Sequence, residues 1–365
     1  MLTAYTNGKI FTGDSMEINK AVLTDNDVVV GITTADAIPS QYVQVDLKGN
    51  TIAPAFIDMQ IYGGNGKLFS QELSVESLKA TYEYCLQGGC SHFMITMATN
   101  SIDKFLKGFE VVRDYRQQGG KGLLGLHLEG PYINPVKRGA HLANCVKKPA
   151  IEEVRILLQK GEGVFTMMTL APEQCDDEVI ELLKQHNIIL SAGHTNVTYQ
   201  QALNAFDKGI PAATHLFNAM SPLQHREPGM VGAIFNHPSV LSSIVCDGVH
   251  VDYSVVHIAK KVLQHRLFFI TDAVAETTEG EYQHLFRGDR YCLPDGTLSG
   301  SALTMLQCVK NAVAHTGIAL EEALRMASTY PAQLLKGQKF GKIETGYTAA
   351  FVVLDDILEL QRVYC

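Results

Sequence analysis

The chain has 365 residues, of which 46% are hydrophobic and 19% are charged, the proportions of a globular protein with a large buried core. Its formal net charge of −8 provides no general positive field, so we expect neither nucleic-acid nor membrane partners. The first residues lack the pattern of a targeting signal, and the eight cysteines are scattered without a CxxC pair. These features predict reduced cysteines and a cytoplasmic location.

The two ends of the chain predict one small β domain. Residues 1–53 contain short apolar segments separated by turn signals such as Asn7-Gly8 and Gly49-Asn50. A similar apolar strand lies near 350–354. We therefore expect residues 1–53 and 337–365 to form a small β-sandwich domain, with residues 54–336 as the catalytic domain.

Between these ends, eight apolar strand cores alternate with amphipathic stretches. The predicted strands are 55–59, 92–96, 123–128, 165–170, 188–192, 211–214, 242–246 and 267–271. The intervening segments carry helix signals: 101–118 runs into the helix stop Gly119-Gly120, and Thr198 and Gln201 have capping-box spacing. This alternation predicts an α/β fold with a closed (β/α)8 barrel of the TIM type, and a doubly wound open sheet is the alternative.

Polar residues lie at or just beyond the ends of six of the predicted strands, where barrel enzymes carry their catalytic groups. They are Asp58, Gln60, Glu129, His194, His215, Asp247, His250 and Asp272. One carboxylate and two imidazoles, from Glu129, His194 and His215, suit a divalent ion with a position left open for water. Zn²⁺ is the expected ion, with Fe²⁺, Co²⁺ and Mn²⁺ as alternatives.

These residue types together favour amide hydrolysis. A metal ion lowers the pKa of its bound water from near 16 to roughly 7, and Asp272 can take the proton of that water and return it to the departing nitrogen. Taken singly, each histidine could be a hydrogen-bonded structural residue, and Glu129 or Asp272 could cap a loop or helix. The prediction of amide hydrolysis depends on the occurrence of all these residues together.

Several local motifs resemble one family, the N-acetylglucosamine-6-phosphate deacetylases of the amidohydrolase superfamily. The similar stretches are 53–58, 125–131, 191–194, 214–220, 226–229, 247–250, 271–272 and 296–301. Two of them are highly specific: His-Leu-Glu-Gly-Pro at 127–131 and Thr-His-Leu-Phe-Asn-Ala-Met at 214–220. The resemblance implies the same three metal ligands, the same acid/base residue Asp272, and a homodimer.

The resemblance also implies roles that the residue pattern does not supply. His141 would be a second catalytic residue, which polarises the acetyl carbonyl. The expected substrate-binding residues are Gln60, Ala140, His141, Asn218, Ala219, Arg226, Asp247, Gly248, His250, Leu298, Ser299, Gly300 and Ser301. Among these, Arg226 would bind phosphate oxygens through its paired donors, although an exposed arginine can also be merely a solvated charge.

One departure from the superfamily pattern concerns the number of metal ions. Many amidohydrolases carry His-x-His after the first strand, whereas this chain has Gln60-Ile61-Tyr62. An amide and a phenol are poor replacements for two imidazole ligands, so we expect one ion per chain.

The sequence thus predicts an enzyme that converts N-acetylglucosamine 6-phosphate, a small amino sugar phosphate, to glucosamine 6-phosphate and acetate. A deacetylase of a related substrate, such as N-acetylgalactosamine 6-phosphate, is the alternative within this chemistry. A barrel that binds sugar phosphates without catalysis is an alternative from another class.

Overall fold

A computed structural model describes residues 1–365, and the chain divides into two compact units. One unit contains Met1–Asp58, Cys85–His92 and Thr304–Cys365, and the other contains Met59–Tyr84 and Phe93–Leu303. The predicted domain boundaries after residues 53 and 336 stay a prediction. No helix is long and apolar enough to cross a lipid bilayer.

All eight predicted barrel strands are present, and they form one parallel sheet in chain order. Their bounds are Phe56–Ile61, Cys90–Ala98, Leu123–Glu129, Phe165–Leu170, Ile189–Ala192, Ala212–Ala213, Leu241–Ile244 and Leu267–Phe269. The strands are apolar and almost wholly buried because both faces of the sheet are covered.

The two ends of this sheet meet. Tyr62 N–H donates to Ala273 O at 2.9 Å, and Asp272 N–H donates to Gln60 O at 3.0 Å. These bonds join the first strand to the residues that follow the eighth, so the sheet closes into the predicted barrel and the open-sheet alternative is wrong.

Helices separate successive barrel strands. The α-helices are Phe69–Glu72, Val75–Gln87, Ile102–Gln117, Ile151–Lys160, Asp177–Gln185, Tyr199–Asp207, Gly229–Asn236, Tyr253–Leu263, Met305–Asn311, Leu320–Ala327 and Thr329–Ala332. Two of the helix signals predicted from the sequence are confirmed. Ser101 caps the helix that ends at Gln117, and Thr198 and Gln201 form a reciprocal capping box.

The N- and C-terminal segments form two sheets, as the sequence predicts. In spatial order the four-stranded sheet contains Val28–Thr34, Lys20–Asp25, Leu2–Thr6 and Val43–Asp46, and the five-stranded sheet contains Leu360–Tyr364, Phe351–Leu354, Thr51–Pro54, Lys9–Phe11 and Met16–Glu17. The C-terminal strand pairs with the N-terminal segment, with Phe351 opposite Pro54. Apolar side chains of both sheets, including Val22 and Phe351, pack into one core.

Two short antiparallel sheets lie in the loops that follow barrel strands. Gly63–Gly64 pairs with Lys67–Leu68 after the first strand. After the eighth strand, Leu285–Phe286, Arg290–Cys292 and Leu298–Ser301 form a three-stranded sheet, which we call the 285–301 sheet. The sequence motif at 296–301 lies in its last strand.

Candidate active site

The predicted catalytic residues meet at the carboxyl-terminal end of the barrel. Glu129 is the last residue of the third strand, while His194 and His215 each lie two residues beyond the fifth and sixth strands. Asp272 follows the eighth strand. The chain turns sharply at three of these positions, because φ is 48° at His194, 36° at His215 and 55° at Asp272. Such left-handed backbone costs free energy in non-glycine residues and clusters at functional sites.

Three side-chain atoms form a nearly regular triangle. Glu129 Oε1 lies 3.2 Å from His194 Nε2 and 3.1 Å from His215 Nε2, and the two Nε2 atoms are 3.0 Å apart. Ligands at the usual 2.0–2.1 Å from a tetrahedral zinc ion would be separated by about 3.3 Å. The spacing and the donor set therefore fit one divalent ion.

The ring of His194 is oriented for this role. Its Nδ1 lies 2.9 Å from Lys137 O, and a carbonyl oxygen can only accept, so Nδ1 carries the proton and Nε2 presents its lone pair. Burial lowers the pKa of His194 to about 4, which keeps the ring neutral. The backbone N–H of His215 donates to Ser243 Oγ at 2.8 Å, whereas Nδ1 of His215 is buried without a hydrogen-bond partner.

The second oxygen of Glu129 is held by two other residues. His141 Nε2 lies 3.1 Å from Oε2, and Tyr62 donates its hydroxyl proton to the same atom. Burial by itself raises the pKa of Glu129, but the interaction with His141 holds it well below its usual range. The carboxylate therefore stays ionised while one oxygen faces the histidine pair and the other is anchored.

His141 has a defined tautomer. The backbone N–H of Thr99 donates to His141 Nδ1 at 3.2 Å, and an amide N–H cannot accept, so Nδ1 is unprotonated and Nε2 carries the proton. The hydroxyl of Thr99 lies 2.7 Å from the same Nδ1. His141 thus presents its Nε2–H as a hydrogen-bond donor at the site.

Asp272 lies beside the triangle. Its Oδ1 accepts from Gln60 Nε2 at 2.8 Å, and its Oδ2 is 3.9 Å from His250 Nε2. Burial raises the pKa of Asp272, and a buried carboxylate with a raised pKa is suited to exchange a proton near neutral pH.

Gln60 and Tyr62 fill the place where the superfamily pattern has two histidines. Gln60 Nε2 lies 2.8 Å from Tyr62 Oη and 3.0 Å from Glu129 Oε1. Both side chains are therefore hydrogen-bonded to the carboxylates of the site, and Gln60 lies behind them rather than on the cavity wall.

A cavity opens directly onto these groups. Of the predicted residues, those on its wall are Glu129, Ala140, His141, His194, His215, Asn218, Ala219, His250, Asp272, Leu298, Ser299 and Gly300. Ser301 lies just outside, where its N–H donates to Asp272 O at 2.9 Å. Arg226 is exposed and is not part of this wall. The functional roles predicted for these residues stay predictions.

Asp247 and Gly248 support the wall rather than form it. Asp247 Oδ2 lies 2.6 Å from His250 Nδ1, and its Oδ1 accepts from the N–H groups of Val249 and His250. Gly248 has φ of +75°, and a Cβ there would lie 2.7 Å from the ring of Tyr253. The turn therefore requires glycine and fixes the imidazole of His250.

The sequence-based reasoning missed three residues at the site: Thr99, Tyr282 and His284. Thr99 immediately follows the second barrel strand, so the same strand-end rule would have found it. Tyr282 and His284 line the cavity from a long excursion after the eighth strand, and no local pattern places this excursion over the barrel.

Comparisons with known proteins identify the family. Residues 51–363 match the model of the amidohydrolase family, and residues 3–52 match the NagA composite domain. The chain is 33% identical to an N-acetylglucosamine-6-phosphate deacetylase of Haemophilus influenzae, over 97% of this chain and 95% of that protein.

The names of two further relatives state a sugar phosphate substrate. An N-acetylgalactosamine-6-phosphate deacetylase of Shewanella sp. is 30% identical over 95% of this chain and 91% of its own length. A solved structure of a mutant N-acetyl-D-glucosamine-6-phosphate deacetylase from Mycobacterium smegmatis, in complex with N-acetyl-D-glucosamine-6-phosphate, superimposes with a TM-score of 0.90 at 29% identity. That alignment covers 100% of this chain and 97% of the other.

Proposed function

Since the chain belongs to the amidohydrolase family, we propose that it hydrolyses the acetamide of N-acetylglucosamine 6-phosphate to glucosamine 6-phosphate and acetate. The observation that carries the proposal is the convergence of Glu129, His194 and His215 with Asp272 on one cavity. The relatives from Haemophilus influenzae and Mycobacterium smegmatis are N-acetylglucosamine-6-phosphate deacetylases, which supports this choice of substrate.

Each chain would hold one divalent ion on Glu129, His194 and His215, with Zn²⁺ as the proposed ion and Fe²⁺, Co²⁺ or Mn²⁺ as alternatives. When bound, such an ion supplies Lewis-acid chemistry, which polarises a carbonyl and lowers the pKa of a coordinated water to roughly 7. A single ion is supported by Gln60 and Tyr62, because their hydrogen bonds to Glu129 occupy the space of a second ligand pair.

The side chains supply the proton transfers. Asp272 accepts a proton from the attacking water, whose oxygen adds to the acetyl carbon. His141 donates a hydrogen bond from Nε2 to the carbonyl oxygen, where negative charge develops. Asp272 then returns the proton to the sugar nitrogen, the C–N bond breaks, and acetate and the free amine leave.

The other predicted residues would bind the sugar phosphate. Asn218, Ala219 and His250 lie together on the cavity wall and would bind the phosphate with Arg226. Leu298, Ser299, Gly300 and Ala140, which also line the cavity, would contact the sugar. Asp247, Gly248, Gln60 and Ser301 would hold these residues in place through the contacts described above.

We further propose a homodimer in which Arg226 reaches the cavity of the partner chain. Two observations support this arrangement: Arg226 is exposed and absent from the cavity of its own chain, and the neighbouring helix Tyr253–Leu263 exposes Ile258 and Val262 on one side. None of the eight cysteines forms a disulfide bond, which supports a reducing compartment such as the cytoplasm.

Complementation between two variants tests whether Arg226 acts in the cavity of the partner chain. Mixed dimers of Arg226→Ala and Asp272→Asn chains contain one intact site if Arg226 acts in the partner's cavity. Part of the activity should therefore return with a wild-type KM when the two impaired proteins are dissociated and reassembled together. A KM that stays at the raised value of Arg226→Ala after verified subunit exchange would contradict the crossing. Sedimentation analysis of the wild-type protein tests the dimer itself.

The activity is tested by measuring acetate and free amine released from N-acetylglucosamine 6-phosphate by the purified protein, with metal content measured on the same sample. We expect one ion per chain and equal amounts of the two products. Release of neither product would favour a binding protein without catalysis. N-acetylgalactosamine 6-phosphate is the second candidate substrate, supported by the Shewanella relative, and the ratio of kcat/KM on the two sugars decides between them.

A further inference from the structure

We propose that His284 is a substrate-binding residue whose Nε2 hydrogen-bonds a secondary hydroxyl of the hexose ring, at C3 or C4. The inference rests on the proposed function and deepens it, because the motifs at the barrel strand ends include no residue for these hydroxyls.

His284 lies in the wall of the cavity that also contains Asp272 and His141. The residue is 5% exposed, so its ring is nearly withdrawn from solvent. Nδ1 lies 2.9 Å from Ser299 Oγ, whereas Nε2 has no partner in the protein and is not among the fully enclosed polar atoms. One ring nitrogen is thus anchored and the other is open to the cavity.

The ring is held in a fixed orientation. The ring of Tyr282 is stacked with that of His284 at an interplanar angle of 4° and a centroid distance of 6.0 Å. The backbone of His284 is bonded on both sides to Thr277, since its N–H donates to Thr277 Oγ1 and its carbonyl accepts from Thr277 N–H. Preorganised polar groups of this kind give orientation and specificity to ligand sites.

The chemistry of this imidazole fits a hydroxyl better than a phosphate. Burial lowers the pKa of His284 to about 4, so the ring is neutral at pH 7 and carries no charge to attract a phosphate. A neutral imidazole anchored at Nδ1 offers one further donor or acceptor at Nε2, depending on which way the Ser299 hydroxyl points, and a sugar hydroxyl can accept or donate. The three other histidines nearest the reacting groups, His141, His194 and His215, already have partners among the catalytic groups.

The test compares the wild-type holoenzyme with His284→Phe, which keeps an aromatic ring but loses both nitrogens. Substrates are N-acetylglucosamine 6-phosphate and its 3-deoxy and 4-deoxy analogues. We expect His284→Phe to lower kcat/KM about 10-fold on the parent sugar, as for loss of a hydrogen bond from a buried group. On the analogue that lacks the contacted hydroxyl, the variant and the wild type should be equally active.

Three controls separate binding from structure. His284→Gln, whose amide can reach the position of Nε2, should recover part of the lost activity on the parent sugar. His186→Phe, at an exposed histidine outside the cavity, should leave kcat/KM unchanged. Metal content and thermal unfolding should match the wild type in every variant used.

The proposal is overturned if His284→Phe loses the same factor on all three sugars, or if it loses nothing on the parent. Should the phenylalanine variant not fold, the same comparison is made with His284→Gln, for which an identical loss on all three sugars refutes the contact. Wild-type protein that releases no acetate from any of the sugars would instead refute the proposed function and this inference with it.

Discussion

Replacement of Asp272 by asparagine isolates the proton-transfer role of this carboxylate. The side chains have the same shape, and an asparagine Oδ1 can still accept from Gln60 Nε2, which lies 2.8 Å from Asp272 Oδ1. The contacts among Glu129, His194 and His215 do not involve Asp272. The substitution therefore removes charge and proton-accepting capacity while it leaves the cavity wall in place.

The expected loss in kcat is large because one carboxylate serves two proton transfers. A positioned general acid or base contributes about 10²- to 10⁴-fold, which corresponds to about 3 to 5 kcal/mol of transition-state stabilisation. Since Asp272, in the proposed mechanism, both takes the proton from water and returns it to nitrogen, we expect a loss near the upper end, with a much smaller change in KM.

The assay is steady-state deacetylation of N-acetylglucosamine 6-phosphate by protein whose metal content has been measured. Asp289→Asn is the matched control, because Asp289 is exposed and pairs only with the adjacent Arg290; its kcat should equal that of the wild type. An Asp272→Asn variant that keeps its ion and stays within about 3-fold of wild-type kcat would refute the assignment, since such a change is far below the general-base range.

Three further changes have defined outcomes. Glu129→Gln should lower metal content after dialysis to a small fraction of the wild-type value, because an amide oxygen replaces the anionic ligand; a full complement of ion in this variant would argue for another site. Arg226→Ala should raise KM by about 10- to 100-fold with little change in kcat, since charged hydrogen bonds to phosphate add about 1.5–3 kcal/mol, and an unchanged KM would remove Arg226 from the phosphate site. Burial lowers the pKa of His92 from 6.5 to about 4, so its contribution to stability is present above pH 6.5 and is lost as pH falls toward 4, by at most about 3 kcal/mol. Urea unfolding at pH 7 and pH 4.5 should therefore show a smaller decline for His92→Leu than for the wild type, and equal declines would contradict this assignment.

The sequence by itself determined the barrel and several of the polar side chains that meet at its carboxyl-terminal end. A parallel strand buried on both faces is mainly apolar, and the functional polar groups of a barrel enzyme lie where its strands end. Glu129, His194, His215 and Asp272 could therefore be recognised as residues of one rim before any distance was known. The helix caps at Ser101 and Thr198 could also be predicted, because a cap depends only on side chains within one turn of the helix end.

Only the tertiary structure decided how those groups are bonded to one another. The tautomers of His141 and His194 depend on Thr99 and Lys137, which are 42 and 57 residues away in the chain. Likewise, the excursion that carries His284 contains strands of only two to four residues, so its sequence gives no period from which its position over the cavity could be inferred. Hydrogen bonds between distant loops are set by the folded arrangement of the strands that carry them, and a local sequence pattern contains no information on that arrangement.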